Sequence, residues 1–422
     1  MVRLSFALVL GLIVTASPAA AVEITISCGA VGQEGALCES AAQAWATQTG
    51  HTVEFDTPPD NTNERYFQYL LDLGEGEAEV DVYQIDVIWP GLLGRFLVDL
   101  KEFVPEEEIN QHFPTIIDNN TVEGRLVGMP WYTDVGMLYY RKDLLDAYQA
   151  EVPTDWSQLA DTAIHIQSAE RAAGRENLWG FVFQGAPYEG LTCDAMEWLA
   201  AYGADPLFDE SGEIAVNSPL HALVLGRVAG WVGTIAPARV TAFNETDSLN
   251  SFQVGDAVFM RNWPYAWAVL NASDSPLAGK VGIAPLPKGG PFGRSAATLG
   301  GWQLAVSKFS RNPEVAADLV RHMTNESTQK VRAIQGSYLP TIVALYEDPE
   351  VLDAAPFMAD IKTALENAVA RPTGVAGDKY MAVTTRFWEA VNRTLIGDGS
   401  ASANLARLED QIRLIRGVAA SR

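Results

Sequence analysis

Glu23-Ile24-Thr25-Ile26-Ser27 alternates polar and apolar residues, which is the pattern of a half-buried strand. A helical pattern comes next, with one apolar face formed by Leu37, Ala41, Ala44 and Trp45. A second strand is predicted over residues 52–55, a second helix after the turn-rich residues 57–63, and a third strand over residues 80–85. Strands that alternate with helices in this way predict a doubly wound α/β sheet.

Charged residues follow the predicted strands. Glu34, Arg65 and Asp86 each fall near the carboxyl end of a strand or just after it. Ligands of doubly wound sheets lie in the crevice outside these ends. The three side chains are therefore candidates for a binding site.

The remaining chain continues the mixture of strands and helices. Residues 126–141 form two extended runs around the polar Asp134, and their Pro and Gly predict a crossover between two lobes. Further strands are predicted at 180–185, 256–260, 281–287 and 302–306, helices at 155–173 and 193–202, and a loop at 188–191. From residue 312 the pattern is mostly helical, with interruptions at 336–340 and 371–374.

Length and charge restrict the class of protein. The 422 residues, 48% hydrophobic and 19% charged, predict two or three globular domains. The net charge of −24, from 29 Lys and Arg against 53 Asp and Glu, disfavours nucleic acid and anionic membranes as partners.

The first 21 residues have the pattern of a secretory signal peptide. A single Arg3 precedes an apolar run over residues 6–14, and small residues end at Ala21. The run is shorter than the ~20 residues that span a bilayer. We therefore expect cleavage after Ala21 and a periplasmic mature protein.

Cysteine and histidine spacing predicts a disulfide but no metal site. Cys28, Cys38 and Cys193 allow one disulfide in an oxidising compartment, and the short spacing favours Cys28 with Cys38. The five His have no ligand spacing. We expect neither a metal nor a cofactor.

Two aromatic stretches favour a sugar-like ligand. Arg261-Asn262-Trp263-Pro264-Tyr265-Ala266-Trp267 combines flat apolar faces with polar groups that orient a ligand, and residues 296–302 place Gly300 and Gly301 beside Trp302. The alternative for the first stretch is a buried aromatic turn between a strand and a helix. For Trp302 the alternative is core packing.

Several stretches of the sequence resemble the sugar-binding proteins of ATP-driven importers, most of all the trehalose/maltose-binding branch. They are the two aromatic stretches above and residues 131–134, 183–185, 188–190 and 371–372. The resemblance covers almost the whole mature chain, with the motifs in the same order. It implies a periplasmic-binding-protein-like fold of two doubly wound α/β lobes joined by hinge strands, with a disaccharide enclosed between them. The residues that fall on ligand-contacting positions, or in the quoted motifs beside them, are Glu34, Thr62, Arg65, Asp86, Tyr132, Asp134, Tyr188, Glu189, Trp263, Tyr265, Gly301, Trp302 and Arg371.

The resemblance further implies the organisation and the partners. Lobe one comprises residues 22–133 and 302–340, and lobe two comprises residues 134–301 and 341–422. The protein is expected to be a monomer that delivers an α-linked disaccharide to membrane permease subunits, with trehalose favoured and maltose or sucrose possible. Residues 29–34 and 373–378 depart from the branch in composition, and both border the predicted pocket.

The chemistry of the predicted residues suits a neutral disaccharide, whose hydroxyls lose water on binding. Carboxylates accept several hydroxyl donors, Arg65 and Arg371 donate, and Trp faces stack on sugar C–H groups. For each carboxylate the alternative is a surface acid or a helix cap. A binder of another small polar solute also stays open, although two Arg would repel a cation.

An enzyme is the rival class. Acids beside Trp also describe a glycoside hydrolase, in which two carboxyl groups lie about 5 to 10 Å apart across the scissile bond. No residues select a proton donor and a nucleophile. A nucleophile elbow, a phosphate loop and an H-E-x-x-H pair are absent from the sequence, so the sequence favours a binding protein.

Overall fold

The computed structural model describes residues 20–29, 31–76, 79–290 and 292–417, without the side chains of residues 362, 363 and 366. The predicted signal peptide, residues 1–21, lies outside this part of the chain except for its last two residues. None of the helices in the described ranges is long and apolar enough to cross a membrane.

Strands in the described ranges are β1 Glu23–Ser27, β2 Thr52–Asp56, β3 Val82–Asp86, β4 Thr121–Val122, β5 Arg125–Leu126, β6 Met129–Val135, β7 Met137–Arg141, β8 Trp179–Val182, β9 Ala257–Asn262, β10 Val281–Pro285, β11 Ala297–Val306 and β12 Ala368–Val369. The α-helices there are α1 Glu34–Thr49, α2 Thr62–Glu75, α3 Pro90–Leu93, α4 Glu106–Ile109, α5 Pro114–Asn119, α6 Lys142–Ala147, α7 Trp156–Ala172, α8 Glu189–Ala201, α9 Pro219–Ala229, α10 Glu245–Gln253, α11 Ala266–Asn271, α12 Pro313–Thr324, α13 Glu326–Gly336, α14 Pro349–Ala354, α15 Ile361–Glu366, α16 Thr373–Ala376, α17 Tyr380–Leu395 and α18 Ala401–Arg416. Short 3₁₀ helices cover Gly94–Phe96, Leu100–Glu102, Ala238–Ala242, Val343–Glu347, Pro356–Ala359 and Gly377–Lys379.

The first sheet has six strands in the order β12-β11-β3-β1-β2, with β6 also paired to β11. β1 pairs in parallel with β2 and β3, whereas β11 runs antiparallel to β3 and β6. Helices α1 and α12 pack together beside this sheet, and Trp45 of α1 donates a hydrogen bond to Asp318 of α12 over 2.8 Å. The predicted doubly wound α/β fold is confirmed.

The second sheet has four strands in the order β10-β7-β9-β8. Its core contains three buried tryptophans: the Trp156 and Trp231 rings lie 5.6 Å apart, and Trp198 lies 6.4 Å from Trp231. Aromatic rings of this size bury a large apolar area each, so the cluster is a main source of stability for this sheet.

One continuous extended segment joins the two sheets, because β6 belongs to the first sheet and β7 to the second. Gly136 separates them. A side chain there would clash, since an added Cβ would lie 2.1 Å from Glu197 Oε1 and 2.6 Å from Arg261 Nη2. The two extended runs predicted around Asp134 are therefore confirmed as strands, with a residue between them that must be glycine.

Some local predictions were wrong. The loop predicted at 188–191 is the start of α8, which begins at Glu189, and its N-cap residue Tyr188 makes no side-chain capping hydrogen bond. Ala44 is exposed, and Ala42 takes the buried position beside Leu37 on α1. The strand predicted at 256–260 is β9, which continues to Asn262. The predicted disulfide between Cys28 and Cys38 is confirmed, and Cys193 is free and buried.

Candidate functional site

A cavity lies between the end of β3 in the first sheet and the segment that follows β9 in the second. Counting the solvent at its mouth, it encloses about 650 Å³ of empty space. Residues that belong to or follow strands of both sheets line it, so that a bound molecule would contact both. The lining residues are Val31, Glu34, Asp60, Thr62, Asp86, Tyr132, Asp134, Glu189, Gly190, Cys193, Glu245, Trp263, Tyr265, Gly300, Gly301, Trp302, Tyr338 and Arg371.

Most of the predicted contact residues lie in this wall: Glu34, Thr62, Asp86, Tyr132, Asp134, Glu189, Trp263, Tyr265, Gly301, Trp302 and Arg371. Arg65 and Tyr188 do not line it. Arg65 lies behind Trp302 and donates to the carbonyl oxygens of Pro59 and Gly29 over 3.0 and 3.2 Å. Tyr188 donates to Glu245 Oε2 over 2.5 Å and so supports a lining residue from behind.

Several lining residues were missed by the sequence analysis: Val31, Asp60, Gly190, Cys193, Glu245, Gly300 and Tyr338. Most of them stand within stretches already singled out, such as residues 188–190 and 336–340. Glu245, at the start of α10, has no such signal. The missed residues that lie in these stretches could have been identified from the motifs around them, but only the fold brings Glu245 to the cavity.

Local sequence explains how β3 and α2 place their site residues. Asn61 caps α2, accepting hydrogen bonds from the backbone N–H groups of Asn63 and Glu64 over 3.0 and 3.2 Å. The capped helix begins at Thr62 and has its first turn at the cavity. Asp86 is the last residue of β3, so its carboxylate lies at the carboxyl end of the sheet as predicted.

One end of the cavity is built around a buried ion pair. Arg371 Nη2 donates to Asp86 Oδ1 over 2.7 Å, and Nη1 donates to Glu189 Oε1 over 3.2 Å. Tyr380 and Thr384 donate to the two Glu189 oxygens over 2.6 and 2.7 Å. Burial raises the pKa of Glu189, while Arg371 and these hydroxyls oppose the rise. Both carboxylates at this end thus already have strong donors.

The Arg371 side chain is strongly held in its charged form. Burial disfavours the charge, but Asp86 and Glu189 raise the pKa of Arg371 well above its ordinary value. Because Asp86 ends β3 in the first sheet and Glu189 begins α8, this side chain bridges two parts of the chain across the cavity.

Another part of the cavity wall, around Glu34 and Asp134, has carboxylates with free acceptor atoms. Glu34 Oε1 accepts hydrogen bonds from Tyr132 Oη and, over 2.7 Å, from Gln84 Nε2. Glu34 Oε2 and Asp134 Oδ1 are buried and have no hydrogen-bond partner among the described residues. A buried acceptor without a donor is costly, so these two atoms suit a ligand that brings hydroxyl donors.

Asp134 is electrostatically exceptional. Burial raises its pKa well above the ordinary value and the nearby Glu34 raises it further, whereas Arg261 and Arg332 lower it. The carboxyl group therefore accepts a proton more readily than an exposed aspartate does.

Two tryptophans form apolar walls, and each is backed by a buried arginine. The Arg261 guanidinium carbon lies 3.9 Å from the Trp263 ring centre, and that of Arg65 lies 4.7 Å from the Trp302 ring centre. Trp263 Nε1 also donates to Glu245 Oε1 over 3.2 Å. The rings are thereby fixed in orientation, and both line the cavity.

Arg261, the first residue of the predicted aromatic stretch, does not face the cavity. Its Nε lies 3.0 Å from Asp194 Oδ1, and its Nη2 lies 2.5 Å from Glu197 Oε1. The stretch runs from strand β9 to helix α11, so the alternative of a strand-to-helix connection correctly describes its backbone. Trp263 and Tyr265 nevertheless line the cavity.

Close approach of backbone and rings narrows the cavity beside Glu34. Tyr338 Oη donates to the Val31 carbonyl over 3.1 Å. Gly32 has φ +60° and lies so near Tyr265 that an added Cβ would be 2.6 Å from the ring. At the other end the Glu189 N–H donates to Asn63 Oδ1 over 2.8 Å. Contacts between residues that are far apart in the sequence thus border the cavity beside both Glu34 and Glu189.

Comparisons with known proteins agree on one family. The sequence profile described as bacterial extracellular solute-binding protein matches residues 30–330. A probable ABC transporter-binding protein of Deinococcus radiodurans is 48% identical over 416 residues, which are 98% of this chain and 99% of that protein. The solved structure of maltose-bound T. maritima MalE3 is 38% identical, with a TM-score of 0.88 over 94% of this chain and 100% of the other.

More distant structures share the fold. The GacH receptor of Streptomyces glaucescens, solved unliganded and with acarbose, is 22% identical with a TM-score of 0.82, over 94% of this chain and 99% of that one. At this identity the likeness concerns the architecture alone. The periplasmic-binding-protein-like fold expected from the sequence is confirmed.

Proposed function

This chain belongs to the bacterial extracellular solute-binding protein family, and from that premise we propose that it is the binding protein of an ATP-driven importer and captures an α-linked disaccharide. Trehalose is the leading candidate, with maltose and sucrose as alternatives. The protein is proposed to be exported to the periplasm through cleavage of residues 1–21 and to deliver its sugar, as a monomer, to membrane permease subunits.

One observation carries the proposal of a sugar. Glu34 Oε2 and Asp134 Oδ1 are buried acceptors without a donor in the described chain, and they line the same cavity as Trp263 and Trp302. A sugar offers hydroxyl donors around its edge and apolar C–H groups on its faces. This combination matches acceptor atoms beside flat aromatic walls.

The proposed length of two sugar rings has support from a relative. The solved structure of T. maritima MalE3, 38% identical to this chain, is that of the maltose-bound protein.

We propose that the two lobes close over the sugar by a hinge. The proposed lobes are residues 22–133 with 302–340 and residues 134–301 with 341–422. The chain crosses from one lobe to the other along the consecutive strands β6 and β7, which belong to different sheets. Because the sugar contacts both lobes only when they are closed, it stabilises that form. Saturating sugar should reduce the radius of gyration and slow hydrogen exchange in the loops at the cleft; unchanged scattering and exchange would contradict closure.

Two alternatives remain distinct from this proposal. A binder of another small polar solute would need the same acceptors, so only ligand screening separates it. A glycoside hydrolase needs one carboxyl group free to donate a proton and another free to attack or to activate water. The family consists of solute-binding proteins, so we propose no enzymatic activity.

A thermal-shift screen tests the proposal. Trehalose, maltose, sucrose, their component monosaccharides and maltotriose would be added to the mature protein, because a ligand of the native state raises its stability with the logarithm of concentration over Kd. We expect the largest shift with an α-linked disaccharide and intact sugar after long incubation. No shift with any sugar would reject the sugar proposal, and release of monosaccharide in proportion to protein would favour the hydrolase.

A further inference from the structure

Arg332, on α13, is a buried cation without a hydrogen-bond partner. Its side chain is only 2% exposed, and Nε, Nη1 and Nη2 all lack a partner among the described residues. Guanidinium groups in protein interiors are ordinarily paired with carboxylates or hydrogen-bonded. Arg332 therefore needs another source of stabilisation and another reason to be there.

Aromatic rings surround the Arg332 guanidinium. Its central carbon lies 3.8 Å from the Trp131 ring centre, 4.6 Å from that of Tyr338 and 5.0 Å from that of Tyr132. All three distances are within the range of about 6 Å in which a cation is attracted to a ring face. We call this arrangement the arginine cage, formed by Trp131, Tyr132, Tyr338 and Arg332.

The arginine cage is part of the cavity wall. Tyr132 and Tyr338 both line the cavity. Tyr132 Oη donates to Glu34, and Tyr338 Oη donates to the Val31 carbonyl. The guanidinium therefore lies directly behind the two rings that hold the carboxylate end of the site.

Arg332 and Arg261 both lower the pKa of Asp134, but they differ in their ion-pair partners. Arg261 has ion pairs with both Asp194 and Glu197, so its charge is neutralised locally. Arg332 forms no ion pair in the part of the chain that the structure describes. Its positive charge is therefore not neutralised by an ion pair.

Other charged and titratable groups face the same region from every neighbouring element. They are Glu34 on α1, Asp86 on β3, Tyr132 and Asp134 on β6, Arg261 on β9, and Tyr265 and Tyr338 on the connecting segments. Arg65 on α2 is also buried and has no carboxylate partner among the described residues, but it donates to the carbonyl oxygens of Pro59 and Gly29. Of Arg65, Arg261 and Arg332, only Arg332 lacks a hydrogen-bond partner at every side-chain nitrogen within the described chain. A nearby positive charge favours the ionised form of an acid.

We propose that Arg332 is a positioning residue of the binding site: it fixes Tyr132 and Tyr338 through ring contacts and supplies the positive charge that keeps Asp134 available as a hydroxyl acceptor. The role of Asp134 as an acceptor rests on the proposed sugar-binding function. The arginine cage and its electrostatic effect do not, so the two can be tested separately.

The first test needs no ligand. Carbon-13 NMR follows the titration of aspartate carboxyl groups in the unliganded protein, and D134N identifies the Asp134 signal. We expect R332M to raise the titration midpoint of Asp134 by about one pH unit, equivalent to a tenfold change in proton affinity, and R332K to leave it near that of the wild type. An unchanged midpoint in folded R332M would overturn the electrostatic role.

A second measurement uses the wild-type protein and does not depend on the folding of R332M. Protons held over aromatic faces resonate upfield, so the Arg332 Hε signal should lie upfield of those of exposed arginines. R332K, which keeps the charge, removes and thereby identifies the signal. An Hε resonance at the ordinary position would overturn the arginine cage.

The ligand arm uses trehalose and maltose, titrated calorimetrically from pH 8 to pH 5. We expect affinity to fall on acidification in the wild type and to fall at a higher pH in R332M, with rescue in R332K. A purely structural role would weaken sugar binding by R332M equally at every pH.

If neither sugar binds the wild type while the Asp134 midpoint still shifts in R332M, the sugar proposal fails and the electrostatic role stands. Sugar binding with an unshifted midpoint would overturn the electrostatic role and leave the sugar proposal standing.

Discussion

The two ends of the cavity hold their arginines in opposite ways. At one end Arg371 donates to Asp86 and Glu189, carboxylates from different parts of the chain. At the other end Arg332 has no carboxylate partner among the described residues and is held by aromatic faces. A paired guanidinium ties segments together but has little charge left for a ligand. An unpaired guanidinium is costly to bury, yet its field acts on the neighbouring acids.

The comparison predicts different costs for removing the two charges. Arg371→Met would leave Asp86 and Glu189 buried without their cation. Breaking a buried ion pair in this way destabilises by about 3–5 kcal/mol. Arg332→Met is the matched control, since it leaves no carboxylate of the described chain without a hydrogen-bonded cation. Its stability should stay within about 2 kcal/mol of the wild type, because lost ring contacts are offset by relief of a desolvated charge.

Chemical denaturation of the two variants without sugar provides the measurement. A triple variant that combines Arg371→Met with Asp86→Asn and Glu189→Gln should recover part of the loss, since it removes the uncompensated charges. Equal destabilisation by Arg371→Met and Arg332→Met would contradict the distinction between a paired and an unpaired arginine.

The next largest effect concerns stacking by Trp302, which pairs in register with Asp86 on one side and Tyr132 on the other. Trp302→Ala should weaken disaccharide binding by about 2 kcal/mol, roughly 30-fold, as for a central aromatic contact of an interface. Trp267→Ala is the control: this Trp packs against Phe357, with ring centres 5.6 Å apart, and is not among the cavity-lining residues. Calorimetry that finds equal losses in both variants would place Trp302 in a structural role.

Part of the site could be predicted from local sequence. Asp86 was predictable because it ends a recognisable strand of a doubly wound sheet, and such ends form binding crevices. Trp263 and Tyr265 were predictable because polar and aromatic residues are concentrated in a short stretch. Each of these signals is local.

Arg332 shows why the remainder could not be predicted. It lies in a polar helix, α13, between Val331 and Ala333, and a charge in such a helix is normally solvent-exposed. Its burial results from packing against Trp131 and Tyr132, about two hundred positions earlier in the chain. Glu245 reaches the cavity in a similar way. Long-range packing of this kind leaves no periodic pattern or motif in the sequence.

A smaller and more selective effect is predicted at the Arg332 end. Asp134→Asn keeps the size of the side chain but replaces one acceptor oxygen with a donor. We expect a loss of about 1–3 kcal/mol for a sugar whose hydroxyl donates to this atom and little loss for the deoxy analogue that lacks it. Calorimetry against a disaccharide and its deoxy series would measure the difference. The same loss for every analogue would show that Asp134 acts through structure and not through one hydrogen bond.

The smallest predicted effect is the pH dependence of unfolding at this end, which tests the comparison without any ligand. Burial raises the folded-state pKa of Asp134 above its value of about 3.9 in an unfolded chain. The folded state therefore binds the proton more tightly. Its contribution to stability is fully present below the unfolded pKa and is lost as pH rises through the folded one.

Relative to D134N, the wild type should lose stability as pH rises from about 4 and level off above the folded pKa of Asp134. Arg332 lowers that pKa. In an R332M background, the difference in unfolding free energy between proteins with and without D134N should therefore continue to grow up to a higher pH. In an R332K background this difference should level off at the same pH as in the wild type. Urea unfolding at a series of pH values gives all three curves. Identical levelling in the wild type and R332M would mean that the unpaired guanidinium does not act on Asp134, and the two ends of the cavity would then differ in packing alone.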